Sequence, residues 1–176
     1  MEFALRSCDG TAQYLAAKRW DIQGAVREQS TAYVAPTVGD VLKQRRLIKY
    51  LPGSVAVGLF YEYQDDPVET VRVPVDADWA GEDMACTSVS NGGISHGAHL
   101  VDSWSVTQST VAQSSVESEF YKMGSGVARG LTLQNVLNEM LEMRGEEPII
   151  DVTLETDSAA ADERDTYTQD GCGIKV

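Results

Sequence analysis

The sequence predicts an α/β fold, in which a mixed sheet is flanked by helices and preceded by a helical segment. Valines alternate with other residues over 71–76, which is the two-residue period of a strand. Residues 115–143 repeat apolar side chains at spacings of three or four, as a long helix does. Residues 149–156 form a second apolar run. This order predicts that the last strand lies beside the first, joined by a right-handed crossover.

The first third of the chain has helical patterns. Residues 11–30 are rich in alanine and contain no proline, and Pro36 ends that pattern. Asp40 is a candidate N-cap for a second helix over residues 41–51. On that helix Val41, Leu42, Arg45 and Ile48 are expected along one side, with Lys43, Arg46 and Lys49 largely off it.

A cluster of basic residues lies on this second helix: Lys43, Arg45, Arg46 and Lys49. Two interpretations stay open. The cluster is a solvated helix face, or it contacts nucleic-acid phosphates.

The middle of the chain has the composition of strands. Residues 55–63 are β-branched and aromatic, which predicts a strand. Residues 91–93, Asn-Gly-Gly, predict a hairpin turn between strands over 87–90 and 98–106. His96 and His99 are expected to be exposed turn residues, because no third metal ligand lies near them.

Length and composition exclude several classes of protein. The chain has 176 residues, is 43% hydrophobic and 23% charged, and contains no apolar run near the roughly 20 residues that cross a bilayer. Its N-terminus lacks the pattern of a secretory signal. Cys8, Cys86 and Cys172 are far apart and odd in number, so neither a disulfide partner nor a zinc site is expected. We therefore expect an intracellular protein, cytoplasmic or nuclear, with no membrane association.

The net charge of −13 is unevenly distributed. Residues 1–60 hold eight Lys/Arg and five Asp/Glu, whereas residues 61–176 hold six and twenty-two. An acidic surface repels nucleic acid. Any nucleic-acid contact is therefore expected in the first third.

Acidic residues lie where the predicted strands end. Asp76 and Asp78 share one strand face, and Asp157 follows the second strand. Either Glu117 or Glu119, on the first turn of the long helix, could join them, and periodicity does not decide between the two. Three converging carboxylates would suit Mg²⁺ or Mn²⁺.

Several stretches together resemble the ribonuclease H region of copia-type long-terminal-repeat retrotransposon polyproteins. Residues 75–81, Val-Asp-Ala-Asp-Trp-Ala-Gly, are similar to that family's first strand. Residues 102–120 are similar to its serine-rich segment, S-W-x-S-x-x-Q-x-x-V-A-x-S-S-x-E-A-E-Y. Residues 154–158 take the place of its third acidic strand. Residues 19–22 and 46–53 resemble the end of the reverse transcriptase.

The resemblance implies a ribonuclease H-like fold and a set of site residues. Carried over position by position, the metal carboxylates fall on Asp76, Glu119 and Asp157, with Asp78 as a neighbour. Two ions, Mg²⁺ or Mn²⁺, are implied, and the implied activity is hydrolysis of the RNA strand of RNA–DNA hybrids. The implied partners are the hybrid and the remainder of a polyprotein.

The resemblance also implies a domain division and several departures. Residues 1–54 would be a helical segment from the end of the reverse transcriptase, and residues 55–176 a ribonuclease H-like domain incomplete at its C-terminus. The family has a fourth acidic residue in a later segment, and this chain ends at Val176 before it. Trp20 replaces a proline of the family pattern, and basic residues are absent at 105–107. Two alternatives stay open: a non-catalytic remnant or interaction domain, and another nuclease or integrase with the same sheet topology.

Overall fold

The computed structural model describes residues 2–32, 36–65, 68–81, 86–157 and 173–175. The chain divides into two compact units, residues 1–60 and residues 61–176. The predicted boundary, between residues 54 and 55, lies shortly before this division. No helix in the described ranges has the length and apolar character needed to cross a membrane.

The first unit is helical. It contains α1 (Glu2–Ala16), a 3-10 turn (Trp20–Ile22), α2 (Gln23–Thr31) and α3 (Val38–Gly53). Small and branched apolar side chains close its core: Ala12, Ala16, Ile22, Val26 and Leu47. Two helices with a turn between them therefore replace the single helical stretch predicted over residues 11–30.

Helix α3 begins earlier than predicted and is buried on a different side. Thr37, not Asp40, is its N-cap: the Thr37 hydroxyl accepts from the Asp40 N–H while the Asp40 carboxylate accepts from the Thr37 N–H at 2.8 Å. The buried positions are Gln44 and Leu47. The side that carries Val41, Leu42 and Ile48 is not the buried one, since Leu42 and Ile48 are about half exposed. Its contacts with α1 and α2 select a side on which the apolar residues are fewer.

The second unit is built on a five-stranded mixed sheet with the order β3-β2-β1-β4-β5. Its strands are β1 (Thr70–Asp78), β2 (Val89–His96), β3 (His99–Thr107), β4 (Asp151–Thr156) and β5 (Gly173–Lys175). Strand β2 is antiparallel to both β1 and β3, whereas β4 is parallel to β1. The α/β class, the mixed sheet and the position of β4 beside β1 are therefore confirmed. The helix predicted from Ala159 onward lies outside the described residues.

Two predictions in the middle of the chain are wrong. Residues 55–63 form no strand, and their large side chains, among them Phe60 and Tyr63, are mostly exposed. The hairpin turn lies at residues 97–98, where Gly97 has a φ of +61°. Strand β2 instead continues through Gly92. The Trp104 indole lies directly over this residue and leaves no room for a Cβ, which explains a glycine within the strand.

Helix α4 (Ser115–Met143) has the bounds predicted from its periodicity, and it packs along β1 and β4. A Cβ at Gly126 would lie 2.6 Å from Val75 Cγ1, and one at Gly130 would lie 2.9 Å from Cγ1 of Val152. These two glycines therefore allow the helix backbone to approach the sheet closely. Gly145, which follows the C-cap Arg144, has a φ of +76° and ends the helical path.

Candidate acidic site

Two carboxylates lie side by side at one edge of the sheet. Val75 of β1 pairs with Thr156 of β4, and each of these residues is followed by an aspartate, Asp76 and Asp157. Because β1 and β4 are parallel, their carboxyl ends meet at the same edge. Both side chains are mostly exposed, at 64% and 83%.

A buried hydrogen-bond network holds the start of α4 at this edge. The Gln108 side-chain amide donates to Ser90 Oγ at 2.9 Å, to the Ser118 carbonyl at 2.9 Å and to Ser118 Oγ at 3.2 Å. Gln108 thereby links β2 to the first turn of α4. Local sequence patterns do not indicate this role, although Gln108 lies inside the serine-rich segment.

A second contact joins two of the stretches that carry the family resemblance. The Trp79 indole N–H donates to the carbonyl of Ala112 at 3.2 Å. Ala112 is itself buried, and Ser114 is the N-cap of α4, accepting from the Glu117 N–H. The serine-rich segment thus positions the helix start against the end of β1.

The geometry distinguishes the two helix glutamates. Glu117 accepts hydrogen bonds from the Gln113 N–H at 2.7 Å and from the Tyr121 hydroxyl at 3.1 Å, so its carboxylate stabilises the helix start. The hydrogen bond to Glu117 raises the pKa of Tyr121. The Glu119 side chain is only 16% exposed and is directed to the edge where Asp76 and Asp157 lie. Glu119 is therefore the helix carboxylate of the acidic site.

A buried lysine lies at the centre of these carboxylates. Lys122 Nζ forms an ion pair with Glu119 Oε2 and lies 3.8 Å from Asp76 Oδ1 and 3.8 Å from Asp157 Oδ1. Its side chain has no solvent exposure. The acidic cluster, defined as Asp76, Glu119 and Asp157, is thus arranged around an ammonium group. Sequence reasoning missed this residue.

The acidic cluster does not have the spacing of a metal centre in this structure. Among the described residues, no group of three or more His, Cys, Asp or Glu side chains is placed to hold one ion. Asp78 is exposed, and its carboxylate lies against Gly81, away from Lys122. Carboxylate oxygens are suitable ligands for Mg²⁺. The Lys122 ammonium, however, lies where the three carboxylates of the acidic cluster approach one another.

The basic residues of α3 lie in the first unit and are exposed. Lys43 forms a 2.7 Å ion pair with Glu28 of α2. Arg45, Arg46 and Lys49 are directed to solvent. Their exposure is compatible with both interpretations of the cluster.

A polar network in the first unit joins the two stretches that resemble the end of the reverse transcriptase. Arg19 donates to both carboxylate oxygens of Asp21, at 2.8 and 2.7 Å, and to Ser54 Oγ at 2.8 Å. The Tyr50 hydroxyl donates to Asp21 at 2.9 Å. The hydrogen bond from Arg19, supplemented by that from Tyr50, lowers the pKa of Asp21.

The two histidines are not the exposed turn residues expected from the sequence. They face each other across the end of the β2–β3 hairpin and are half-buried. A ring nitrogen of His96 lies 2.9 Å from the Val68 carbonyl, and His99 Nδ1 lies 3.0 Å from Nε2 of Gln64. The preceding segment covers them, which the local sequence does not indicate. Cys8 and Cys86 are free and exposed, and Cys172 lies outside the described residues.

The chain is similar to parts of plant transposon proteins. It is 31% identical over 136 residues to the "Retrovirus-related Pol polyprotein from transposon RE1" of Arabidopsis thaliana, across 77% of this chain and 9% of the polyprotein. It is 30% identical over 146 residues to the corresponding polyprotein from transposon RE2, across 82% and 10%. An uncharacterized mitochondrial protein of the same plant is 34% identical over 119 residues, across 65% and 47%.

These relatives indicate the origin of the chain. The polyproteins are its homologues and support a domain derived from a retrotransposon polyprotein. The chain spans about a tenth of the length of each polyprotein and about half of the mitochondrial protein. No family model and no solved structure matches it.

Proposed function

We propose that residues 61–176 are a ribonuclease H-like domain of a copia-type polyprotein, whose acidic cluster serves hydrolysis of the RNA strand of RNA–DNA hybrids. One observation carries the proposal: Asp76, Glu119 and Asp157 come from three different elements and meet at one edge of the sheet. The same three positions are those that the family resemblance selects. Twenty-two acidic residues are spread over this part of the chain, and these three share one cation.

The proposed cofactor is Mg²⁺ or Mn²⁺. In two-metal hydrolysis such ions lower the pKa of the attacking water and stabilise the departing 3′ oxygen. The donor types of the acidic cluster suit these ions. The arrangement does not fit them as it stands, because Lys122 Nζ lies within 3.8 Å of both aspartates.

The proposed role of the α3 cluster is phosphate binding. Arg45, Arg46 and Lys49 are exposed, whereas Lys43 is held by Glu28. Substitution of Arg45, Arg46 and Lys49 by glutamine is expected to weaken binding of the hybrid. It should also make that binding less dependent on salt concentration. Unchanged binding would favour the solvated-face interpretation.

Cleavage of a labelled RNA–DNA hybrid by the full chain in Mg²⁺ or Mn²⁺ tests the proposed activity. We expect cleavage of the RNA strand in the hybrid and none of single-stranded RNA. Asp76→Asn is expected to abolish cleavage. Asp78→Asn is the matched control, since this exposed aspartate lies on the same strand but apart from Lys122. Cleavage that survives Asp76→Asn would disprove the assignment of the site.

A second candidate function is a non-catalytic domain that keeps the fold. The buried Lys122 favours it, because an ammonium paired with the acidic cluster stabilises the fold without any metal. This candidate predicts no cleavage by the unmodified chain in either metal. It also predicts that millimolar Mg²⁺ leaves the melting temperature of the unmodified chain unchanged.

A further inference from the structure

Lys122 lies on the side of α4 that faces the sheet. The buried positions of the helix are Ser118, Lys122, Gly126 and Gly130, which follow one another at intervals of four residues. Three of these side chains are small or absent, and the fourth is a lysine. Since side chains on a helix point toward its N-terminus, Lys122 is directed to the sheet edge that carries the acidic cluster.

A buried ammonium needs anionic partners. An ionised lysine without solvent contact is costly unless it is paired. Lys122 has no exposed surface, and its Nζ is surrounded by one oxygen each of Glu119, Asp76 and Asp157. Glu119 is the nearest of the three and is itself mostly buried. The opposite charges therefore stabilise each other: the carboxylates offset the cost of burying the ammonium, and the ammonium offsets part of the repulsion among the carboxylates.

We propose that the Lys122 ammonium is a built-in counter-cation, which occupies the position where a divalent ion would bridge the acidic cluster. Mg²⁺ and the ammonium would then compete for the same oxygens, since two cations cannot share them without strong repulsion. The cluster accordingly binds a divalent ion more weakly than it would without the ammonium. This inference concerns the same carboxylates as the proposed function, but it does not depend on cleavage.

Burial opposes withdrawal of the lysine on metal binding. The Lys122 side chain lies in the α4–sheet interface with no solvent exposure. The next two buried positions of α4, Gly126 and Gly130, lie against β1 and β4 without space for a methyl group. A swing of the ammonium to solvent would separate it from Glu119 and would vacate a buried position of the interface.

Metal binding to the full chain tests the proposal. Titration calorimetry measures the affinity for Mg²⁺ or Mn²⁺. The melting temperature is measured in MgCl₂ or MnCl₂ and in NaCl of equal ionic strength. Both measurements compare the unmodified chain with its variants. Lys122→Met keeps most of the side-chain volume and removes the charge, and Lys18→Met removes an exposed lysine as the control. We expect Lys122→Met to bind Mg²⁺ at least tenfold more tightly than the unmodified chain or Lys18→Met. Addition of Asp157→Asn to Lys122→Met should abolish that gain.

The result that would overturn the proposal is equal Mg²⁺ affinity in the unmodified chain and Lys122→Met. A second measurement uses the metal-free chain, in case Lys122→Met does not fold. Glu119→Gln should lower the melting temperature, because it removes the nearest partner of a buried ammonium. A rise would overturn the proposal, since it would indicate that carboxylate repulsion dominates.

Failure of the proposed nuclease is distinguishable from failure of this inference. If Lys122→Met gains Mg²⁺ binding while no variant cleaves the hybrid, the counter-cation stands and the nuclease assignment fails. If the unmodified chain cleaves the hybrid and binds Mg²⁺ as tightly as Lys122→Met, the nuclease stands and the counter-cation fails.

Discussion

Gly126 of α4 lies so close to β1 that a Cβ on it would be 2.6 Å from Cγ1 of Val75. Glu119 is seven residues, two helical turns, before this contact. The contact therefore fixes the separation between the helix and β1, the strand that carries Asp76. Because Gly126 has no Cβ, the helix can approach the sheet this closely. That approach determines how near the Glu119 carboxylate comes to the carboxylates of Asp76 and Asp157.

Gly126→Ala should destabilise the second unit despite the better helix propensity of alanine. The added methyl meets Val75, which is buried and stiff, and Leu154. Overpacking of this kind costs about 1–3 kcal/mol, more than the roughly 1 kcal/mol that alanine gains over glycine in a helix. Urea unfolding followed by circular dichroism gives the change in the free energy of unfolding.

Gly124→Ala is the matched control for this substitution. It lies in the same helix, and nothing lies within 4 Å of its hypothetical Cβ. It should raise the free energy of unfolding by about 0.5–1 kcal/mol. Equal effects of the two substitutions would refute close packing at Gly126.

Gln108→Met should loosen the start of α4. It leaves the Ser90 and Ser118 hydroxyls without the buried amide that now donates to them, at a cost of about 1–3 kcal/mol. Hydrogen exchange should increase in the first turns of α4 and much less at its C-terminal end. Gln113→Met, at an exposed position, should change neither stability nor exchange. A uniform increase along α4 would argue against a local role.

Asp21 should make the first unit less stable in acid. Its pKa is lowered, mainly by the hydrogen bond from Arg19, so between its folded and unfolded pKa values the folded state holds fewer protons. Its contribution to stability is complete above the unfolded pKa of about 3.9. It is lost as the pH falls through the lower folded value.

Tyr50→Phe measures this contribution without removing the charge. It deletes one hydrogen bond to Asp21, and we expect it to lower the melting temperature at pH 7 and to have little effect at pH 2. Tyr14→Phe is the control, because Tyr14 is 82% exposed. A loss of stability that is the same at both pH values would rule out linkage to Asp21.

Asp9 should have the opposite pH dependence. It is 2% exposed, burial raises its pKa, and its carboxylate has no hydrogen-bond partner within the described part of the chain. The folded state therefore holds more protons, and stability falls as the pH rises through the raised value.

Asp9→Asn should therefore stabilise the first unit at pH 7, by about 1 kcal/mol or more. The gain should vanish below about pH 3.5, where the aspartate is protonated in both states. Thermal unfolding over this pH range measures it, with the exposed Asp65→Asn as control. A gain that persists at low pH would show that packing, not ionisation, is responsible.

Local sequence patterns determined the elements whose signal is strong and short-range. The bounds of α4 follow from its periodicity, from the Ser114 N-cap and from Gly145. The alternation in β1 identifies its buried valines. The same patterns misplaced the β2–β3 turn, because Asn-Gly-Gly also suits a strand that must pass beneath the Trp104 ring. Residues 55–63 have strand propensity without a described pairing partner.

The order of helices and strands along the chain also determined which carboxylates could lie close together. A helix between two strands predicts that those strands are neighbours, and the register of β1 and β4 brings Asp76 and Asp157 to one edge. Periodicity could not choose between Glu117 and Glu119, since both flank the apolar stripe. Tertiary structure decided: Glu117 is used by the N-terminus of α4, and Glu119 faces the sheet edge.

Only the tertiary structure revealed Lys122. In the sequence it is one charged residue on a long helix, and charged residues are usually solvated. Burial depends on what packs against each face of the helix, here β1 and β4 through Gly126 and Gly130. The sequence by itself thus determined the two strand-end aspartates, a pair of candidate helix glutamates and the strand order that brings them together. The packing of α4 decided that a lysine ammonium lies among them, because a buried charge is defined by its neighbours in space.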